Sequence, residues 1–216
     1  MKRIFALLVV LSVLAATTPS YAQGFGVKGS FNFFNLAQKN ALGNKVENTM
    51  IPKFDVGLFY EASIAPEFYL RPELNFAAKG AKLEGTPESK LQVNYLEVPV
   101  MFLYKGALSG GNVMLGFGPY LGLGVGGKNT GNGNEFDIKF KGDVSSAEAM
   151  NTLYLKPLDF GGKMLAGYEF GMGLSFAINA SFGMSNMAPK LNGEKPDATL
   201  RNVGFGLTLG YRFGKK

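Results

Sequence analysis

The sequence predicts an all-β protein, an eight-stranded antiparallel up-and-down transmembrane β-barrel, and three observations carry that reading. Eight stretches place a large apolar residue at every second position with glycine, serine or a charge between, and strand side chains alternate between two faces. The stretches are close to the about 9–11 residues that a tilted strand needs to cross a bilayer. Their connections alternate long and short, as in membrane barrels with long outer loops and tight inner turns.

Ahead of the first strand, Lys2 and Arg3 precede the apolar run Ile4 to Ala16, and Ser20-Tyr21-Ala22 supplies small residues for cleavage. This pattern is a signal peptide over residues 1–22, leaving a barrel domain over 23–216. Export into the outer membrane of a Gram-negative bacterium is the expected localisation. Loss of Lys2 and Arg3 takes the formal charge from +6 to +4. The remaining charges are mixed in sign, so no nucleic-acid partner is expected.

The strands follow in order. Phe25, Val27, Phe31 and Phe33 share one face, opposed by Gly24, Gly26, Lys28, Ser30 and Asn32. A polar loop from Ala37 to Ile51 leads to Phe54, Val56, Leu58, Tyr60, Ala62 and Ile64, set against Asp55, Gly57, Phe59, Glu61 and Ser63. After Ala65-Pro66-Glu67 the third strand alternates Phe68, Leu70, Leu74 and Phe76 with Tyr69, Arg71, Glu73 and Asn75. Pro72 within it predicts a local break in the ladder. A second polar loop is read over Gly80 to Leu91.

The fourth strand carries Leu96, Val98, Val100, Phe102 and Tyr104, and Lys105 to Gly111 reads as a glycine-rich turn. Val113 to Val125 is the fifth strand. The longest irregular stretch, Gly127 to Leu153, contains the alternating Phe136, Ile138 and Phe140, which reads as a strand extension beyond the membrane. Asn129 to Asp137 lacks the spacing of a calcium loop and reads as a solvated turn. Leu158 to Phe170 and Leu174 to Ser185 are the sixth and seventh strands. A loop from Met187 to Leu200 delivers Val203 to Phe213, which must pair with Gly24 to Phe33 to close the barrel.

The same alternation suits a soluble lipocalin-like carrier with an apolar interior, so the direction of the faces has to be argued. Eight strands leave an interior that side chains just fill, and five or six large residues per strand would overfill it. The large residues therefore face lipid, and the glycines, serines and charges face in.

The inward charges are Lys28, Arg71, Lys79, Lys163 and Arg212 against Asp55, Glu61, Glu73, Glu97, Asp159 and Glu169. Unpaired ions in a narrow lumen cost several kcal/mol, so these residues are expected to pair as a network that fills or gates the lumen. Arg71, Glu73, Glu61 and Glu97 are placed at its centre because they lie on neighbouring strands. The lumen reads as sealed, with a structural or surface-interaction role; a narrow channel for ions or very small solutes is the alternative. Cysteine and histidine are absent, which removes disulfides, thiolate metal sites and the commonest general base. No enzyme activity, catalytic residue, metal or cofactor is expected. The expected partners are outer-membrane lipid, the barrel-assembly machinery and a protein or surface ligand at the outer loops.

Several motifs in order resemble the PorT-type outer-membrane β-barrel family of Bacteroidetes. They are Leu70-Arg71-Pro72-Glu73-Leu74 with Lys79-Gly80, Tyr95-Leu96-Glu97-Val98-Pro99-Val100, Gly118-Pro119-Tyr120-Leu121-Gly122, and Asp159-Phe160-Gly161 leading to Gly167-Tyr168-Glu169. The resemblance covers nearly all of the chain after the signal peptide and implies an architecture like the OmpA transmembrane domain. Some members are linked to protein secretion across the outer membrane; no functional residue carries over. Such barrels usually end on an aromatic assembly signal. Tyr211 and Phe213 are read as that signal here, although Gly214-Lys215-Lys216 follow.

Overall fold

The computed structural model describes residues 24–84, 88–131, 133–150 and 152–214; the signal peptide expected over 1–22 lies outside them. Eight long strands dominate: β1 (Gly24–Lys39), β2 (Ile51–Ala65), β3 (Phe68–Leu83), β4 (Ser89–Leu108), β5 (Gly111–Gly131), β6 (Leu158–Phe170), β7 (Leu174–Gly183) and β8 (Thr199–Arg212). Each pairs antiparallel with the next. β8 returns to β1 from Gly26↔Arg212 to Lys39↔Thr199, so the sheet closes into a barrel without a free edge.

Alternation sorts the two faces. Phe54, Phe117 and Ile178 are 67, 60 and 62% exposed, whereas Lys79, Glu97 and Asp159 are fully buried. The exterior is apolar and the interior polar, the reverse of a lipocalin-like carrier. Aromatic pairs mark the exterior near the short turns: Phe25 on Tyr60, Phe68 on Phe102 and Tyr104, and Tyr168 on Phe170.

Three tight turns lie at one end. Pro66–Glu67 joins β2 to β3, Ser109–Gly110 joins β4 to β5, and Gly171–Gly173 joins β6 to β7. Ser109 and Gly110 both have positive φ, the pattern of a type I′ hairpin that follows the strand twist. The four longer connections meet at the opposite end, called the long-loop end below.

Several strands outrun their sequence reading. β1 continues to Lys39, carrying Phe34 and Leu36 inward. The polar loop expected over Gly80 to Leu91 is narrowed from both sides, with β3 running on to Leu83 and β4 starting at Ser89, because Ala81, Leu91 and Val93 keep the inward parity and bury. The break at Pro72 is a gap without a shift of register: pairing passes from Phe59↔Glu73 to Ala62↔Leu70 with nothing between. Pro99 and Pro119 stand at similar gaps on the neighbouring strands, since proline has no N–H to give a ladder.

The region of Phe136, Ile138 and Phe140 behaves only in part as a strand extension. Asn134–Asp137 pairs back on β5. Beyond it the chain turns over the barrel mouth, Lys139–Phe140 pairs in parallel with Tyr154–Leu155, and Ile138 is buried. A one-turn helix, α1 (Ser146–Ala149), is closed by a capping box between Ser145 and Glu148.

Candidate functional site: an ion-paired lumen

The inward faces assemble a polar column in two clusters. At the short-turn end four strands contribute one charge each, alternating in sign: Glu61 on β2, Lys105 on β4, Glu169 on β6 and Arg212 on β8. Lys105 Nζ lies 2.5 Å from Glu61 and 2.7 Å from Glu169, and Arg212 lies 2.9 Å from Glu169 and 3.6 Å from Glu61. The four form a closed ring, as expected when alternate strands of a barrel supply one layer. Arg71 extends it, 3.4 Å from Glu61 and 3.0 Å from Glu73, and Lys28 reaches Glu73 at 2.5 Å.

Phe59 lies against this cluster, with the Arg71 guanidinium 4.9 Å from its ring centre. Gly26 makes that placement sterically open. A Cβ there would lie 2.1 Å from the Phe59 ring, so any larger residue would displace the ring that supports Arg71.

The second cluster is nearer the long-loop end. Lys79 lies 2.6 Å from Glu97 and 3.2 Å from Asp159, and Lys163 pairs with the other oxygen of Glu97. Asp159 also accepts hydrogen bonds from Tyr120, Ser185 and Asn202, which fills the lone pairs of a buried carboxylate. Lys79 Nζ sits 4.1 Å from the Tyr120 ring centre, adding a cation–π contact in a dry setting. Between the clusters Asn32 donates to Asp55 at 2.8 Å. A cavity of about 20 Å³ lies there, lined among others by Lys28, Asp55, Glu73 and Lys163, with room for one water molecule.

The structure thus brings ten of the eleven predicted charges into ion pairs and leaves Asp55 hydrogen-bonded. The expected centre of Arg71, Glu73, Glu61 and Glu97 divides. Glu97 faces Asn75, a step nearer the long-loop end than Glu73, and joins the other cluster. Lys105 is not among the charges expected in the lumen, because the glycines that follow it read as a turn, whereas β4 carries its parity on to Leu108. Nor is Lys53, buried on the parity of Asp55 and bonded to Gln92.

Above the second cluster the lumen turns apolar. Leu36, Ala81, Leu91, Val93 and Tyr95 from the strands receive Ile138, Leu155 and Met187 from the loops, all buried. Tyr95 donates its hydroxyl to Met187 Sδ at 3.0 Å. At the opposite end Tyr211 and Phe213 lie half exposed, their rings edge to face at 5.2 Å, and Phe213 N–H donates to Phe25 C=O.

A closed barrel with an apolar exterior and charges paired inside defines an integral β-barrel membrane protein. The chain belongs to the outer membrane protein β-barrel domain family, whose model matches residues 21–188. Outer-membrane location follows from that membership. Among solved structures it is similar to outer membrane protein OprG from Pseudomonas aeruginosa, at 13% identity over 89% of this chain and 96% of that one, TM-score 0.46. It is also similar to Neisserial surface protein A, at 12% identity over 89% and 100%, TM-score 0.45. A third likeness is to outer membrane protein W of E. coli, at 17% identity over 90% and 100%, TM-score 0.41. No curated protein matches the chain.

Proposed function

We propose that the protein is a sealed, non-enzymatic barrel that presents a folded loop surface outside the outer membrane, with both chain termini on the periplasmic side. The closure of the lumen, by ion pairs at one end and an apolar cap at the other, carries this reading. The charged groups of the lumen are held in ion pairs or, for Asp55 and Lys53, in hydrogen bonds to Asn32 and Gln92, an arrangement that supports a filled interior over acid–base work on a substrate. The loops support a binding role because they hold each other. Asp143–Val144 pairs with Lys190–Leu191, and Asn192 Nδ2 donates to Ser146 Oγ at 2.7 Å. A protein or surface ligand would meet this joint surface, and the barrel-assembly machinery would read Tyr211 and Phe213. The motifs around Arg71, Glu97, Tyr120 and Asp159 support membership of the PorT-type branch.

Reconstitution in planar bilayers tests the seal. The expected outcome is a bilayer without steady current steps. Large, steady conductance in the unmodified protein would replace this reading with a narrow channel.

A further inference from the structure

The wall made by β3, β4 and β5 gathers cations on its outer face where the apolar belt ends. Directly opposed residues of antiparallel strands share a face, and Lys82 stands opposite Lys90, and Gln92 opposite Lys128. Ala81, Leu91 and Val93, on the other parity, are buried inside, so Lys82, Lys90, Gln92 and Lys128 point out. Below them on the same face lie the exposed belt residues Phe76 and Leu96. Gln92 is four residues beyond Leu96, about 13 Å along the strand, which sets the group at the depth of lipid headgroups.

Lys53 joins this group from β2. It starts on the inward parity of Asp55 and is 7% exposed, yet its ammonium donates to Gln92 Oε1, on the outward parity of β4. It does so at an interruption in the wall. β2 pairs with β3 as far as Asp55↔Ala77, and the chain next meets β3 at Thr49↔Lys82. Gly80, opposite Gln92, places no side chain in the way. Inside the lumen Lys28, Arg71, Lys79, Lys105, Lys163 and Arg212 face six carboxylates, which leaves no counter-charge there for Lys53.

The outer face does not supply one either. Glu88 pairs with Lys82 at 2.7 Å and Glu135 with Lys128, both in exposed pairs, and Glu84 accepts from the Thr49 hydroxyl. Lys53 and Lys90 have no acidic partner among the described residues, and they repel each other. Like charges in direct opposition and a buried cation without a counter-charge both cost stability. A ligand that brings about two negative charges removes both costs.

We infer that this outer face binds a phosphate monoester on the headgroup of an outer-leaflet lipid, held by Lys53 and Lys90 with Lys82 and Lys128 beside them. The inference rests on the reading that the long-loop end faces out. A phosphate monoester carries about −1.5 to −2 and three acceptor oxygens, which matches two unpaired ammonium groups; a phosphodiester brings one charge and leaves one cation unmatched. Position selects a lipid over a dissolved anion. Lys53 adjoins Phe54, an exposed residue of the apolar belt, so the charges begin where the acyl region of the bilayer ends.

The test uses the full mature chain in phosphatidylcholine nanodiscs carrying lipid A, with phosphate monoesters, or phosphatidylglycerol, a diester, and counts retained lipid by native mass spectrometry after release into mild detergent. The unmodified protein is expected to retain lipid A in preference to phosphatidylglycerol. Retention should fall by about tenfold or more, the equivalent of one good charge-assisted contact, in Lys53→Met/Lys90→Met. Lys139→Met/Lys195→Met, which removes two exposed loop lysines, is the control of equal charge and should retain lipid A. Lys90→Glu should lose lipid A without loss of barrel stability, because the new carboxylate supplies the charge that Lys53 lacks. Heat-modifiable gel migration reports folding of every variant. Equal retention by both double variants overturns the inference, as does a folded Lys90→Glu that keeps lipid A. Equal retention of the two lipids overturns the monoester assignment, and displacement of lipid A by inorganic phosphate at equal concentration overturns the lipid assignment. None of these outcomes moves the conductance test of the seal.

Discussion

At the short-turn end of the lumen, Glu61, Lys105, Glu169 and Arg212 come from the strands themselves; at the long-loop end, Ile138, Leu155 and Met187 are lent by loops. The ring is tied to backbone register. A slip of one residue along any of its four strands would turn a charge outward to lipid and leave its partners unmatched inside. The cap has no such tie. It forms when two loops give up chain freedom to bury apolar side chains on Val93 and Tyr95, and segments held this way open locally without unfolding the rest. Ring integrity is therefore a condition of barrel closure, whereas the cap is a separable layer placed on it.

Glu61→Ala is the strongest test of that contrast. It removes the shared partner of Lys105, Arg71 and Arg212 and leaves buried cations short of charge. Breaking a buried ion pair from one side costs about 3–5 kcal/mol, to be read as a lowered urea midpoint for unfolding from phospholipid vesicles. A loss below about 1 kcal/mol, the range of exposed pairs, would show that the ring is hydrated and does not govern closure.

Met187→Ala should do less to the whole and more to the part. Removing a buried methionine costs about 2–5 kcal/mol where the rest cannot move away; a cap that opens alone limits the global loss to the low end of that range. Proteolysis between residues 133 and 150 should accelerate while the barrel stays heat-modifiable. A variant that loses barrel stability as much as Glu61→Ala would dissolve the distinction between ring and cap.

The ring was readable from parity where strands kept a strict period of two. Glu61, Glu169 and Arg212 follow directly from their apolar neighbours. Lys105 did not, because Gly106 and the nearby Ser109-Gly110-Gly111 suggested an earlier turn; the unbroken parity of Met101, Leu103 and Lys105 was the available signal. The level of Glu97 was not readable either. Strands of a barrel are staggered, so adjacency in strand order does not set height, and only the pairing of Glu97 with Asn75 does. The cap was least legible. Its parallel pairings join residues far apart in sequence, and nothing local marks Ile138 for burial while Phe136 stays 58% exposed.

The smallest expected effect lies on the outer surface of the cap, where Glu148 closes α1. Lys141 Nζ donates to both its oxygens at 2.7 and 2.9 Å, and the Ser145 N–H donates at 2.9 Å. These bonds, Lys141 first, hold the Glu148 carboxyl down at about 2 against its ordinary 4.5. A depressed carboxylate stabilises the folded form fully above its unfolded value and loses that contribution as pH falls through the folded one. The loop contact should therefore be intact above pH 4.5 and disappear between there and about 2. The carboxyl is open to solvent, so barrel stability should not follow this titration. An NMR titration of Glu148 in nanodiscs measures it directly: a midpoint near 2 with unchanged barrel resonances keeps cap and ring apart, whereas a midpoint near 4.5 means that the Lys141 contact does not persist. Barrel resonances that shift together with Glu148 would tie the loop surface to the lumen and make the two closures one cooperative unit.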